Sequence, residues 1–395
     1  MPNPIQFPAD EGVHPRAKTE WWYMNGHLAD VEGGRYDFFS ALVNMPSVLE
    51  VKFNPDHWHP PVNFPDILGA TALDGGLTVR SPDNDPLHFA LREVKPYVIP
   101  WNPMDTHGLA QGHLESSFAT WVGPVGSMER TGGQALSLVA PFGKDVLVTL
   151  ALDQARKPQP LLVGGQGEVH MGPLGLSRYY SFPYMDAVGT VSINGVVTPV
   201  RGQAWMDHQW GDMAFFDGYD RWRWFGIQLD DLTEIITFIF WDAAGNVVQT
   251  NASILLADGT QQNLQAMTDQ GQAPVMSVTD RGQPWVSPVT GCRYPLRPTV
   301  SIPAFNAVLE LDPVMFNQEM VGKGPRNFLT QGPFFPDYWE GGMTVRGTRN
   351  GQAVTGKAFY ELLGYSADTA AVRSGPEAVA DALKEFREWL TGDGR

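Results

Sequence analysis

Short runs of valine, isoleucine, phenylalanine, tyrosine and tryptophan, broken every few residues by glycine or proline, occupy almost the whole chain. With 42 Gly and 32 Pro among 395 residues, a long helix has little room: an interior glycine costs about 1 kcal/mol and an interior proline about 3 kcal/mol relative to alanine. Branched and aromatic side chains at alternate positions suit the pleat of a half-buried strand. Stretches 145–152, 189–200, 222–229, 234–241 and 353–363 carry this pattern, and Asn194-Gly195 marks a two-residue hairpin turn. One segment departs from it. Ser374-Gly375-Pro376-Glu377 resembles a helix start, and Val379, Leu383, Phe386 and Leu390 follow at helical spacing. The expectation is an all-β protein with a C-terminal helix over 371–395.

A chain of 395 residues exceeds what one hydrophobic core usually serves, so two domains are expected. The polar, glycine-containing stretch 211–220 separates two strand-rich halves, which places an N-terminal β domain at 1–210 and a C-terminal one at 211–370. No short-period repeat is visible, which argues against a propeller or solenoid. The proline-rich stretch 53–65 reads as a long loop able to cap a pocket.

The net charge of −16, from 27 Lys plus Arg against 43 Asp plus Glu, disfavours nucleic-acid binding. No basic run followed by an apolar core opens the chain, and no apolar run of about 18 residues appears, so a cytoplasmic protein without membrane insertion is expected. The single cysteine, Cys292, excludes an intramolecular disulfide and reads as a buried structural thiol.

Three clusters combine aromatic and polar residues. In the first, Glu20 to His27, extended geometry puts Trp21, Tyr23, Asn25 and His27 on one face and Glu20, Trp22 and Met24 on the other. In the second, Gln203 to Gly211, Trp205, Asp207 and Gln209 oppose His208 and Trp210. Asp207 and His208 therefore reach one pocket only if the chain bulges there. In the third, Arg221 to Asp231, Trp222, Trp224, Gln228 and Asp230 oppose Arg223, Phe225, Ile227 and Leu229, and Gly226 leaves a gap among bulky neighbours. Asp230 and Asp231 also suit the turn before Glu234.

Later, Tyr338-Trp339-Glu340 and Phe359-Tyr360-Glu361 set carboxylates beside rings. A carboxyl group walled by indoles holds its proton more tightly and can donate it near neutrality. No nucleophile elbow, P-loop, HExxH or dinucleotide fingerprint is present. His57 and His59 share a face, but two prolines follow and no third ligand is evident, so neither metal nor cofactor is expected.

The stretches TEWWYMNGHL, SRYYSFPYMDAVGTVSINGVVTPVRGQAWMDHQWG, RWRWFGIQLDD, PWVSP with CRYPLRP, YWEGGMTVRG and FYELLGY, spread from residue 19 to 365, resemble in order the lipocalin-like family of bacterial AttH proteins, with carotenoid 1,2-hydratases and kievitone hydratase as more distant members. TEWWY stands where carotenoid hydratases carry a GGYAWWY-like start. The resemblance implies two lipocalin-like antiparallel β-barrel or sandwich domains side by side, with an apolar cavity near their junction. It implies a small apolar partner, a polyene, polyketide or isoprenoid, and points to His208, Trp210 and Asp230 as residues that matter in the hydratase branch.

Two reactions fit. A biosynthetic cyclase would fold a polyene for an intramolecular [4+2] cycloaddition, with Trp22, Trp210, Trp222 and Trp224 shaping the cavity and Tyr23, His208 or Gln228 donating to a carbonyl. A hydratase would deliver a proton to an alkene from Asp230 or Asp207, with His208 guiding water. Trp21, Trp205, Tyr338, Trp339 and Tyr360 complete the expected substrate wall. A non-catalytic carrier needs only the cavity, and a glycosidase would use paired carboxylates beside tryptophan platforms.

Overall fold

The fold was analysed in a computed structural model, which describes residues 4–7, 9–12, 14, 17, 19–45, 69–97, 119–123, 126–170, 175–211, 220–322 and 337–365. The expected loop at 53–65, His57, His59 and the expected C-terminal helix lie outside these residues. The first half supplies β1 (Thr19–Ala29), β2 (Arg35–Met45), β3 (Gly69–Arg80), β4 (Leu87–Tyr97), β5 (Ala119–Gly123), β6 (Gly126–Gly132), β7 (Ala135–Pro141), β8 (Val146–Asp153), β9 (Leu161–Leu162), β10 (Glu168–His170), β11 (Leu176–Ile193) and β12 (Val196–Gly211). The second supplies β13 (Arg221–Leu229), β14 (Glu234–Trp241), β15 (Val247–Leu255), β16 (Gln261–Met267), β17 (Ser277–Asp280), β18 (Trp285–Val286), β19 (Arg293–Tyr294), β20 (Pro298–Ile302), β21 (Ala307–Pro313), β22 (Glu319–Met320), β23 (Tyr338–Arg349) and β24 (Gln352–Leu363).

These strands form two large antiparallel sheets and a small β18–β19 pair. The first large sheet runs β4-β3-β2-β1-β12-β11-β8-β7-β6-β5 and the second β16-β15-β14-β13-β24-β23-β21-β20-β17. Both follow one plan: four strands meander outward, and the last strand returns to lie beside the first. The relation is topological, so it leaves no short period in the sequence. At the β11–β12 hairpin, Asn194 and Gly195 adopt φ of 51° and 81°, as a primed two-residue turn requires.

Each sheet curls over its own core. The first encloses Trp22, Met24, Phe38, Leu42, Leu138, Tyr180, Met206 and Trp210. The second encloses Phe225, Ile227, Ile239, Tyr294, Leu309, Trp339, Tyr360 and the buried thiol of Cys292. A third cluster lies between them and draws on both: Tyr23, Phe39, Tyr179 and Trp205 from the first lobe, Trp224, Phe238, Tyr338 and Phe359 from the second.

Polar contacts also join the lobes. Buried Lys157 pairs with Glu234 and donates to the carbonyl oxygens of Leu232 at 2.5 Å and Leu256 at 3.1 Å. Thr78 Oγ1 donates to Gln318 Oε1 at 2.8 Å. Gly342 permits a close approach: a Cβ on it would lie 2.9 Å from Asp37 Cβ, nearer than such contacts run.

Candidate functional site

Strand alternation divides every aromatic cluster between two environments. On β1, Tyr23 faces the junction while Trp22 points into the first core. On β12, Trp205 faces the junction while Met206 and Trp210 point inward. On β13, Trp224 faces the junction and Phe225 the second core; on β24, Phe359 and Leu363 face the junction and Tyr360 the second core.

The junction concentrates carboxyl groups. Asp207 accepts hydrogen bonds from Tyr179 Oη at 2.8 Å, from Trp205 Nε1 at 2.7 Å and from Ser181 Oγ. Trp224 Nε1, from the other lobe, donates to Tyr179 Oη at 3.0 Å, so one hydrogen-bonded chain crosses from β13 to Asp207. Glu340 and Glu361 stand directly opposite each other on β23 and β24. Glu361 accepts from Trp222 Nε1 at 3.0 Å. Beside them, Tyr338 Oη donates to Asp74 Oδ2 at 3.1 Å, and Arg92 grips Asp74 with two guanidinium nitrogens at 2.8 and 3.0 Å.

Burial sets the protonation of this group. It pushes the Glu361 carboxyl up to about 7, outweighing the indole N–H that favours its charged form. Glu340 is pushed well above the carboxylate range, by burial first and then by the negative charge of Glu361. Two carboxylates opposite one another in a dry site cannot both ionise cheaply, so the pair retains a proton. Burial also drives Asp207 up to about 7 despite its three donors. The Tyr23 phenol is raised well above its ordinary value, by burial and then by Glu340.

Polar atoms remain open here. Tyr23 Oη, Asn25 Nδ2, Gln228 Oε1 and Glu340 Oε1 are buried and complete no hydrogen bond with a protein atom. Leaving such atoms unmet costs about 1–3 kcal/mol each, and these four gather on strands that border the junction.

The expected site residues divide accordingly. Tyr23, Asp207, Trp205, Trp224 and Tyr338 meet at the junction, and Trp21 and Trp222 pack against it. Gln228 borders it, but its amide nitrogen donates to the carbonyls of Pro183 at 2.9 Å and Ala204 at 3.4 Å, so it works as a brace between lobes. Four members of the expected substrate wall lie elsewhere: Trp22 and Trp210 are in the first core, and Trp339 and Tyr360 in the second. The period of two along each strand turns them away. Asp230, expected as a pocket acid, also lies elsewhere. It is exposed in the β13–β14 turn and accepts from Thr355 Oγ1 at 2.5 Å, so it is not a pocket acid. The gap at Gly226 is filled from within: a Cβ there would lie 2.4 Å from Trp224 Cη2.

His208 is buried on the opposite face from Asp207, with Nε2 2.8 Å from Glu20 Oε1. No bulge brings Asp207 and His208 together, since β12 pairs with β1 in unbroken register through both. The pairing of Glu340 with Glu361 was not among the features expected from the sequence. Their aromatic neighbours suggested acids, and the signal for the pairing lies at Asn350-Gly351, whose φ of 51° and 75° make the two-residue turn that sets Glu340 opposite Glu361 in unbroken register.

Known proteins share this architecture. A protein of Nitrosomonas europaea assigned to AttH superposes with a TM-score of 0.69 at 21% identity, over 92% of this chain and 98% of its own. Kievitone hydratase from Nectria haematococca gives 0.66 at 16% identity, over 92% and 94%. CghA in complex with Sch210972 gives 0.53 at 12%, over 89% of both chains. In sequence, the dehydratase asqC of Emericella nidulans is 24% identical over 219 residues, which is 55% of this chain and only 58% of the dehydratase. The AttH-like family model matches residues 104–365, well over half the chain. With the strand order, the two curled lobes and this match in agreement, the chain belongs to the AttH-like family.

Proposed function

We propose that this protein is an enzyme that adds or removes water across a carbon–carbon double bond of a largely apolar substrate held at the lobe junction. The observation that carries the reading is the direct opposition of buried Glu340 and Glu361, a pair that keeps a proton near neutrality. In the dehydration direction the protonated member gives its proton to a substrate hydroxyl, and the C–O bond breaks to release water. A carboxylate of the pair then takes a proton from the adjacent carbon, and the electrons of that C–H bond form the double bond. Hydration is the reverse. Trp205 and Trp224, edge to face at 6.2 Å, supply the electron-rich wall that a developing cation prefers. The likeness to a dehydratase and to a hydratase supports this reading.

A [4+2] cyclisation is the second reading. It is favoured by the same protonated carboxyl, which can donate to a carbonyl, and by the open polar atoms Tyr23 Oη and Gln228 Oε1, which could orient one. It is also in keeping with the likeness to CghA bound to a small molecule. Purified protein is incubated with hydroxylated and unsaturated polyenes in oxygen-18 water and the products are weighed by mass spectrometry. Gain or loss of one water that disappears in Glu361→Gln supports the hydro-lyase. A product of unchanged mass replaces that reading with the cyclase, and binding without turnover leaves a carrier.

A further inference from the structure

The face of β1 and β12 turned away from the junction holds a second polar group that the proposed reaction does not use. Glu20 from β1 and His208 from β12 are fully buried, and His14 reaches them from the segment before β1. Glu20 Oε1 lies 2.7 Å from His14 Nδ1 and 2.8 Å from His208 Nε2. One ligand-type atom from each of the three lies within 4.8 Å of the other two.

The outer ring nitrogens are also held by oxygens. His14 Nε2 is 3.4 Å from Asp10 Oδ1, and His208 Nδ1 is 3.3 Å from Tyr180 Oη. Metal-binding histidines are oriented this way, with one nitrogen on the ion and the other on an oxygen behind it. Two indoles fix the ring planes: His14 stacks on Trp210 at 4.0 Å and 5°, and His208 on Trp22 at 4.6 Å and 17°. Charge points the same way. Glu20 and Asp10 bring two negative charges, while the nearby Arg130 guanidinium is committed to Glu11 through bonds of 2.5 and 2.7 Å.

We propose that His14 Nδ1, Glu20 Oε1 and His208 Nε2 form a binding site for a divalent transition metal of the zinc class. Two imidazoles and one carboxylate are a familiar zinc donor set with one position left open. Bonds of about 2.0–2.1 Å in a tetrahedron set neighbouring donors about 3.3 Å apart, so Glu20 Oε1 needs to stand about 0.5 Å further from each imidazole nitrogen than its hydrogen-bonded spacing. The ion ties the segment before β1 to the sheet: Trp22 Nε1 already donates to the Glu11 carbonyl at 3.2 Å, and Phe7 packs edge-on against Tyr180 at 4.8 Å. Tyr23 and Asp207 extend from the opposite face of the same two strands, so the metal also steadies the floor of the junction.

Untagged full-length protein is stripped with chelator and dialysed against Zn²⁺ or Co²⁺. The expected result is one bound equivalent by elemental analysis and the visible ligand-field bands of a four-coordinate Co²⁺ ion. His14→Asn and Glu20→Gln, checked for folding by circular dichroism, are expected to lose the equivalent. Asp10→Asn is expected to weaken binding about 10-fold to 100-fold, and exposed His170→Asn to leave it unchanged. If the buried Glu20 variant fails to fold, the wild-type Co²⁺ spectrum and the partly exposed His14 variant still decide. Less than half an equivalent in the wild-type protein, or wild-type binding in His14→Asn, overturns the site and leaves a hydrogen-bonded His–Glu–His network.

Discussion

Inside the lobes, buried ionised groups meet opposite charges, whereas the Glu340–Glu361 pair at the junction meets none. In the first lobe Glu11 sits against Arg130, and in the second Arg223 holds Asp280 through two bonds of 2.6 and 2.9 Å. Across the junction strands, Glu340 faces Glu361, and Glu361 accepts from an indole N–H. A buried charge is tolerated when it is paired, and an unpaired carboxyl takes up a proton instead. The interiors, and Asp74 with Arg92 at the junction, are therefore built to hold charges still, and the Glu340–Glu361 pair to hold a proton that can move. The Lys157–Glu234 contact between lobes is intermediate. Even with its lysine partner, burial pushes Glu234 up to about 7.

The sharpest way to break this comparison is Glu361→Gln, which keeps shape and removes the titrating group. Turnover is expected to fall by about 10²-fold to 10⁴-fold, the usual contribution of a positioned acid or base. Stability should respond in the opposite sense. Because folding raises Glu361 from 4.5 to about 7, its favourable contribution is complete below pH about 4.5 and is withdrawn as the pH climbs towards about 7. Urea unfolding across that window should lose part of its pH dependence in Glu361→Gln. An unchanged profile together with unchanged turnover would remove the proton-holding pair from the mechanism.

Next in size is Lys157→Met. It strands Glu234 without a countercharge between the lobes, and a loss of about 3–5 kcal/mol is expected. Lys157→Met combined with Glu234→Leu should recover most of it, and a double variant as unstable as the single one would show that the lysine acts through its contacts to Leu232 and Leu256. Smaller again is Gly342→Ala, which drives a methyl group towards Asp37. Overpacking of this kind costs about 1–3 kcal/mol, and calorimetry should show it together with weaker substrate binding at the junction. Smallest is Asp230→Asn. An exposed turn residue changes stability by about 0.5 kcal/mol or less, and turnover should match wild type; a large loss of activity would return Asp230 to the site.

Much of this arrangement could be read in the chain. Alternation along β1, β12 and β13 correctly sorted Tyr23 from Trp22, Asp207 from His208 and Trp224 from Phe225, because a strand has a strict period of two. Asn194-Gly195 located its hairpin for the same local reason. Local rules failed where the outcome depended on a partner. Trp22, Trp205, Trp210 and Trp339 are alike as residues, and only the packing of one sheet on another decided which of them face the junction. Asp230 follows a strand whose even-numbered Trp222 and Trp224 face the junction, yet the turn begins at that residue and lifts it into solvent.

By itself, then, the sequence determined an all-β chain and the two faces of its aromatic strands, because glycine, proline and side-chain alternation act within a few residues. It also carried the motifs by which the AttH-like family is known. Only the tertiary structure decided that the face carrying Glu340 and Glu361 is buried between the lobes, that Tyr179 reaches Asp207, and that His14 joins Glu20 and His208. These contacts link distant segments through strand register and the packing of curled sheets, and a carboxyl group's affinity for its proton is set by what surrounds it in space.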